Sequence, residues 1–504
     1  MSTTPRSIRL DAEDNIVLAI DAIPAGEQVH GVVARQRIPR GHKLAIAPVG
    51  KDAPIRKYGQ VIGFAREDIA AGDWVHEHNV YLHGFSRDYR FSADVRPTGP
   101  AATPRFFEGF HRPNGRYGTR NYVAVLTSVN CSASASRFIV EEINRSGILN
   151  DYPNIDGAIA LVHGTGCGLD VNGEAHELLR RTQWGYATNP NVGGVLMVGL
   201  GCEAFQIPRF MKFYGVEESE TFRTLTIQET GGTRKTVAAG VAAITDMLPV
   251  VNAARRTTAP ASELVLALQC GGSDGYSGFT ANPALGKAVD LLVAQGGTAI
   301  LSETPEIYGA EHLLTRRAVS REVGERLVER IAWWERYTAR HEMEMNNNPS
   351  PGNKLGGLTT ILEKSLGAAA KGGSTNLVDV VNYAEPVTSR GLVFMDTPGY
   401  DPVSATGQVA GGANILAFTT GRGSAFGSKP TPSVKLASNS VVFEQMRDDM
   451  DMNCGDILDG VTLEAKGEEI FERLLRVASG EKTKSEQLGY GDYEFVPWSI
   501  GATM

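Results

Sequence analysis

Seven continuous apolar runs mark the chain beyond residue 120, and most end in small or reactive residues. They are YVAVLTSVNC (122–131), GAIALVHGTGCG (157–168), GVLMVGLGCE (194–203), LVLALQCGGSD (264–274), AILSETPE (299–306), LVFMDTPG (392–399) and ILAFTTGRG (415–423). Short runs without polar alternation predict strands buried on both faces of a parallel sheet. Between them the apolar spacing lengthens. Val323, Leu327, Ile331 and Trp334 share one face of a helix over 321–340, and Ile470, Leu474 and Val477 repeat at i, i+4 and i+7. Strands alternating with helices predict α/β architecture, and about 400 residues of it predict two units rather than one.

The first stretch has a different rhythm. IRLDAEDNIVLAI, VHGVVARQRI and KLAIAPVG are short β-like runs separated by turns such as Pro39-Arg40-Gly41-His42 and Ala71-Gly72-Asp73. The expected organisation is a small β-rich domain over 1–96 and a linker, PTGPAATP, over 97–104. Two α/β units with mostly parallel sheets follow, over 105–255 and 256–504.

Composition narrows the class of partner. The 504 residues carry a formal net charge of −8, which argues against a nucleic-acid groove. No apolar stretch reaches the ~20 residues that span a bilayer, and MSTTPRSIRLDAEDN lacks a signal peptide's apolar core, so a cytoplasmic protein is expected. Five cysteines are too few for a disulfide framework and read as reduced thiols. A large α/β enzyme of this kind leaves room for a homo-oligomer.

In open α/β sheets ligands bind beyond the carboxyl ends of the strands, and the chemically capable residues gather there. Cys131, Cys167, Cys202 and Cys270 each follow an apolar run, with His163, Glu203, Ser273, Asp274 and Glu303 near them. One strand-end cysteine beside glycine is ordinarily packing; four in corresponding positions suggest a shared role. Their spacing is not CxxC, yet dispersed thiolates can converge on iron or a cluster. Cys454 lies outside the pattern and reads as structural. A second metal-ligand set is His42, His76 and His78, the last two on one face if WVHEHN is a strand. Cationic anchors for an anionic substrate are Lys354 in NPSPGNKLGG, Arg422 in TTGRGSAFG, and Arg116 and Arg120 in NGRYGTRN; Asn353, Gly271 and Gly272 join the candidate substrate-binding set. No loop matches a dinucleotide or P-loop fingerprint.

These stretches resemble the altronate/galactarate dehydratase family over nearly the whole chain. DNIVLAI, IPRGHKLAI and KYGQVIGFAREDIAAGDWVHEHN resemble its small N-terminal module, of the SAF or β-clip kind. NGRYGTRNYVAVLTSVNC, VGLGCE, QCGGSDGYSGFTANPALG, SETPEIYGAEHLL, NPSPGNKLGGLTTILEKSLG and FTTGRGSAFG resemble its large region. The resemblance implies a sugar-acid hydro-lyase using Fe(II) or a similar divalent metal such as Mn(II), which removes water from C2/C3 to leave a 2-keto-3-deoxy acid; an iron–sulfur cluster on the dispersed cysteines stays open as the alternative cofactor. HEHN and GGTAILSETPEIYGAEHLL look closer to altronate dehydratases, HGTGCG and PASELV closer to galactarate dehydratases, and the C-terminal EKTKSEQLGYGDYEFVPWSIGATM fits neither. Altronate is the expected substrate. The alternatives are galactarate, the chemistry of a sulfolactate sulfo-lyase, or a non-catalytic sugar-acid-binding protein. For dehydration, His163, Ser273, Asp274 and Glu303 are the expected catalytic set, because a weakly acidic proton must leave beside a carboxylate.

Overall fold

A computed structural model describes residues 4–503 except 85, 86 and 88. Residues 4–83 form short antiparallel strands. Ser7–Ile8, Ile16–Ala19, Lys43–Ala45 and Trp74–Val75 make one sheet, and Pro54–Lys57, Gln60–Ala65 and Val80–Tyr81 another. The expected pair of parallel sheets follows. In one, Gly157–Leu161, Tyr122–Thr127, Val192–Gly199 and Phe222–Thr226 lie in that order. The other has seven parallel strands: Leu377–Val381, Gly391–Met395, Thr298–Leu301, Val265–Cys270, Ile415–Thr420, Ser433–Ala437 and Met452–Asn453. Helix Arg321–Arg340 buries Val323, Leu327, Ile331 and Trp334, the face that the spacing marks.

The stretch 97–104 lies along the large region, with Ala101 N–H donating to Ala294 O. Strand Phe106–His111 pairs antiparallel with Arg256–Pro260, so the start of the first α/β unit is braced by the start of the second. The two parallel sheets are joined through helices Glu174–Ala187 and Asp401–Ala410, whose Leu178, Tyr186, Val403 and Val409 share one apolar cluster. At this seam Asn189 Nδ2 donates to Val409 O and Ala413 O, and Asn191 Nδ2 to Asn414 O. These bonds lie at the amino ends of strands Val192–Gly199 and Ile415–Thr420. Among the described residues no helix is long and apolar enough to cross a membrane.

Candidate active site

The seven-stranded sheet starts in its middle. The chain enters at Val265–Cys270, builds outward on one side through Thr298–Leu301, then returns to the other side at Ile415–Thr420. That reversal is the topological switch point, where open α/β sheets bind ligands. Cys270 ends the central strand there. Gly271 N–H donates to Thr419 O, and Arg422 N–H to Gly272 O, at 3.1 and 2.9 Å. The glycine at 271 is required by a close approach: a Cβ there would lie 2.3 Å from Asp401 Oδ2.

Behind this mouth lies a buried charged centre. Lys371 Nζ is 2.8 Å from Cys270 Sγ and 3.2 Å from Glu303 Oε2. The Cys270 thiol also faces Glu306 Oε2 at 3.5 Å. Lys364 Nζ donates to Glu306 Oε1 and Asn348 Oδ1, at 2.8 and 2.6 Å. Glu303 follows its strand with φ of +69°, a left-handed conformation that a non-glycine residue adopts at a cost of order 1–3 kcal/mol. Its N–H is held by Thr397 Oγ1 at 2.9 Å. Glu306 sits one turn further on, in the 3-10 turn Thr304–Ile307. Lys364 and Lys371 are two turns apart on helix Ile361–Ala369 and its 3-10 extension, so both reach the same face.

The electrostatics of this centre are unbalanced. Burial and the Glu306 charge push Glu303 well above the usual carboxylate range, against the pull of Lys371. Asp401 is raised to about 7 by burial and by Glu306, and burial pushes the Cys270 thiol up to about 12. Fully ionised, the four acidic groups would carry −4 against +2 from two lysines; protons make up the difference. A divalent cation would do so equally well. Cys270 Sγ and carboxylate oxygens of Glu303 and Glu306 lie within 4.8 Å of one another, the one such group of three donors among the described residues. Glu303 Oε1 is buried without a hydrogen-bond partner. A thiolate and two carboxylates with an orphaned oxygen suit a borderline divalent metal.

The other candidate residues fall elsewhere. The four cysteines do not form one group of donors: Cys131, Cys167 and Cys202 are exposed and follow strands of the four-stranded sheet, whereas Cys270 is buried at the end of a strand of the other. His76 and His78 do not share a strand, because the strand ends at Val75 and Asn79 N–H closes a turn onto His76 O. His78 is exposed, and both His42 nitrogens are used, Nδ1 by Trp74 Nε1 and Nε2 against Leu355 O. His163 is held at both nitrogens by Thr127 O and Thr165 N–H, and burial drops it to about 4. It belongs to the four-stranded sheet, so it does not meet the charged centre. Arg120 is buried at the amino end of its strand, clamped by Glu486 at 2.6 Å; strand polarity puts it at the wrong edge.

Asp274 also serves the loop rather than the centre. Its carboxylate accepts from Tyr276 N–H, Ser277 N–H, Ser277 Oγ, Ser438 Oγ and Asn439 Nδ2. Asn353 Nδ2 pins Ser273 O at 2.9 Å, bracing the same loop. Lys354 pairs with Glu77 at the surface, whereas Arg422 stands exposed beside Gly272. The site residues missing from the expectation are Glu306, Asn348, Lys364, Lys371 and Asp401. The two-turn Lys364/Lys371 spacing in LEKSLGAAAKGG was the available signal: two lysines on one face of an Ala- and Leu-rich helix.

Comparison with known proteins now bears on this arrangement. Residues 261–503 match the profile "D-galactarate/Altronate dehydratase, C-terminal", and residues 109–252 match "D-galactarate dehydratase/Altronate hydrolase, second domain". Residues 5–83 match "Altronate/galactarate dehydratase SAF domain". The chain belongs to the galactarate/altronate dehydratase family. Within it, the chain is 34% identical to altronate dehydratase of Bacillus subtilis, over 95% of this chain and 96% of that one. It is 38% identical to galactarate dehydratase (L-threo-forming) of Escherichia coli, over 96% and 94%. A more distant relative is the beta subunit of (2R)-sulfolactate sulfo-lyase from Chromohalobacter salexigens, 32% identical over 77% of this chain and 96% of that one. The family's SAF domain is thus the antiparallel module whose His42 loop reaches Leu355.

Proposed function

We propose that this chain is a hydro-lyase that removes water across C2 and C3 of an aldonate or aldarate, altronate first, and leaves a 2-keto-3-deoxy acid. The observation that carries the reading is the buried Cys270–Glu303–Glu306–Lys364–Lys371 centre, at the switch point of a chain with dehydratase relatives along its whole length. Galactarate is the second reading, favoured by the higher identity to that dehydratase. A non-catalytic sugar-acid binder would have no use for several buried charges, each costly to desolvate.

Dehydration next to a carboxylate needs an anchor, a base and charge stabilisation. Arg422, exposed at the mouth, is placed to grip the substrate carboxylate. Asp401, poised at about 7, is matched to proton transfer near neutral pH. Lys364 and Lys371 hold positive charge where negative charge develops, in a water-poor site. Fe(II) or Mn(II), held by Cys270, Glu303 and Glu306, would add Lewis-acid stabilisation of that charge.

The test is an anaerobic assay of Fe(II)-supplemented protein against altronate, galactarate and other sugar acids, scoring 2-keto-3-deoxy acid. Turnover of altronate is expected. Turnover of galactarate alone would replace the substrate, and no turnover of any sugar acid by iron-loaded protein would overturn the reading. On the active substrate, Arg422→Ala is expected to raise KM roughly 10- to 100-fold, the loss of one charge-assisted pair, with kcat changed far less. A fall confined to kcat would move the anchor elsewhere.

A further inference from the structure

Four cysteines remain that the charged centre does not use, and three of them, Cys131, Cys167 and Cys202, occupy equivalent places. In the four-stranded sheet Leu126 pairs with Leu161 on one side and Met197 on the other. Cys131, Cys167 and Cys202 lie five, six and five residues beyond those three partners. Each therefore leaves the carboxyl edge of one of three adjacent strands at nearly the same height.

The loops that carry them are stitched together. Asn130 N–H donates to Thr165 O at 3.0 Å, and Asn130 Nδ2 to His163 O at 3.3 Å, tying the Cys131 loop to the Cys167 loop. Phe205 N–H donates to Gly166 O at 3.1 Å, tying the Cys167 loop to the Cys202 loop. Ser128 Oγ donates to Glu203 Oε1 at 2.5 Å, closing the third side. That carboxylate is itself fixed by Leu200 N–H and Gly201 N–H. Gly166, at φ of +103°, lets its loop lie against Ser128: a Cβ there would sit 2.1 Å from Ser128 O. These bonds fix three loops that would otherwise be independent.

The thiols are also out of character. Free cysteine is among the most buried residue types, and Cys270 and Cys454 obey that rule at 1% and 0% exposure. Cys131, Cys167 and Cys202 are all exposed. Packing does not explain three exposed thiols on one braced rim. Helix Ala133–Arg145 starts two residues after Cys131.

We propose that Cys131, Cys167 and Cys202 bind an iron–sulfur cluster of the [4Fe–4S] type, with the fourth iron left to solvent. A single ion would need its donors within one coordination sphere, and the three thiols do not form such a group. A cubane places each thiolate on a different iron, so three separate loops around one rim suit it. The site is distinct from the Cys270 centre, which lies on the other sheet.

The experiment uses full-length protein, handled without oxygen and supplied with Fe(II), sulfide and a thiol reductant. Iron, acid-labile sulfide, visible absorption and low-temperature electron paramagnetic resonance are then measured. The expected result is about four sulfides per chain with the matching charge-transfer absorption. Cys131→Ser, Cys167→Ser and Cys202→Ser are each expected to abolish the sulfide content, while Cys270→Ser keeps it. Because the three thiols are exposed, their serine variants should melt like the cluster-free parent, so cluster loss cannot be misread as unfolding. Absence of bound sulfide, sulfide that persists in the three variants, or bound zinc without sulfide would overturn the proposal. None of these outcomes bears on the dehydration assay, which reads the other centre.

Discussion

Glu303→Gln is expected to lower kcat by about 10³-fold while leaving the protein as stable as the parent, to within about 1 kcal/mol. The two halves of that expectation have one cause. Glu303 is fully buried, close to Glu306 and held with left-handed backbone, and all three features work against its charged form or its conformation. Burial and the Glu306 charge raise its carboxyl well above the usual range, toward the neutral acid that glutamine imitates in size and charge. Folding therefore loses little. Function loses the carboxylate: an amide cannot ionise to hold a cation beside Cys270 and Glu306, nor balance Lys371 at 3.2 Å. Metal content after anaerobic loading should fall together with kcat. A variant that keeps kcat within roughly tenfold would remove Glu303 from the reaction. One that melts far below the parent would show that the residue serves the fold instead.

The fold was legible where the pattern of apolar positions is pure. Seven strand runs and the helix over 321–340 need only periodicity, because a strand buried on both faces is nearly all apolar and an amphipathic helix needs a stripe. Leu377–Val381, Ser433–Ala437 and Phe222–Thr226 escaped because Asp379, Lys435 and Arg223 interrupt the run. Lys435 is fully buried all the same, with Tyr490 Oη as its partner. The strand-end rule located Cys270 and Glu303, yet it treated every strand end as equal. Which cysteine belongs to which sheet depends on strand order, and strand order is set by crossovers that local spacing does not record. Lys364, Lys371 and Asp401 escaped for a further reason. A lysine in an Ala- and Leu-rich helix ordinarily reaches for solvent, and an aspartate opening a helix ordinarily serves its dipole. Here Glu306 and Asn348 take up the Lys364 ammonium, and Cys270 and Glu303 take up that of Lys371.

A second glutamate, sixty residues along, behaves in the opposite way. Glu363 is expected to be indispensable to stability: Glu363→Gln should cost about 3–5 kcal/mol, the price of breaking a buried ion pair from one side. Its carboxylate receives Lys43 Nζ at 2.8 Å and Lys57 Nζ at 2.9 Å, all three side chains at 0% exposure. Both lysines come from the SAF domain, while Glu363 lies on the helix that carries Lys364. Thr359 N–H and Oγ1 complete the carboxylate's shell, Lys43 also donates to Gly357 O, and Thr360 Oγ1 donates to Ile62 O. Two ammonium groups hold Glu363 far below the usual carboxylate range despite burial. With glutamine there, two ammoniums would face each other without a counter-charge. Lys43, already lowered to about 8, is the one to give up its proton. The sign follows: its folded pKa lies below the unfolded value, so the unfolded chain binds more protons, and the variant's deficit should shrink as pH rises from about 7 to 9. Denaturant unfolding of parent and variant at those two pH values reads both effects. A loss under about 1 kcal/mol would mean that the SAF domain is held by apolar contacts alone. A full loss would mean that the helix bearing Lys364 and Lys371 is placed by charges from the far end of the chain, so that the SAF domain sets the geometry of a site it does not enter.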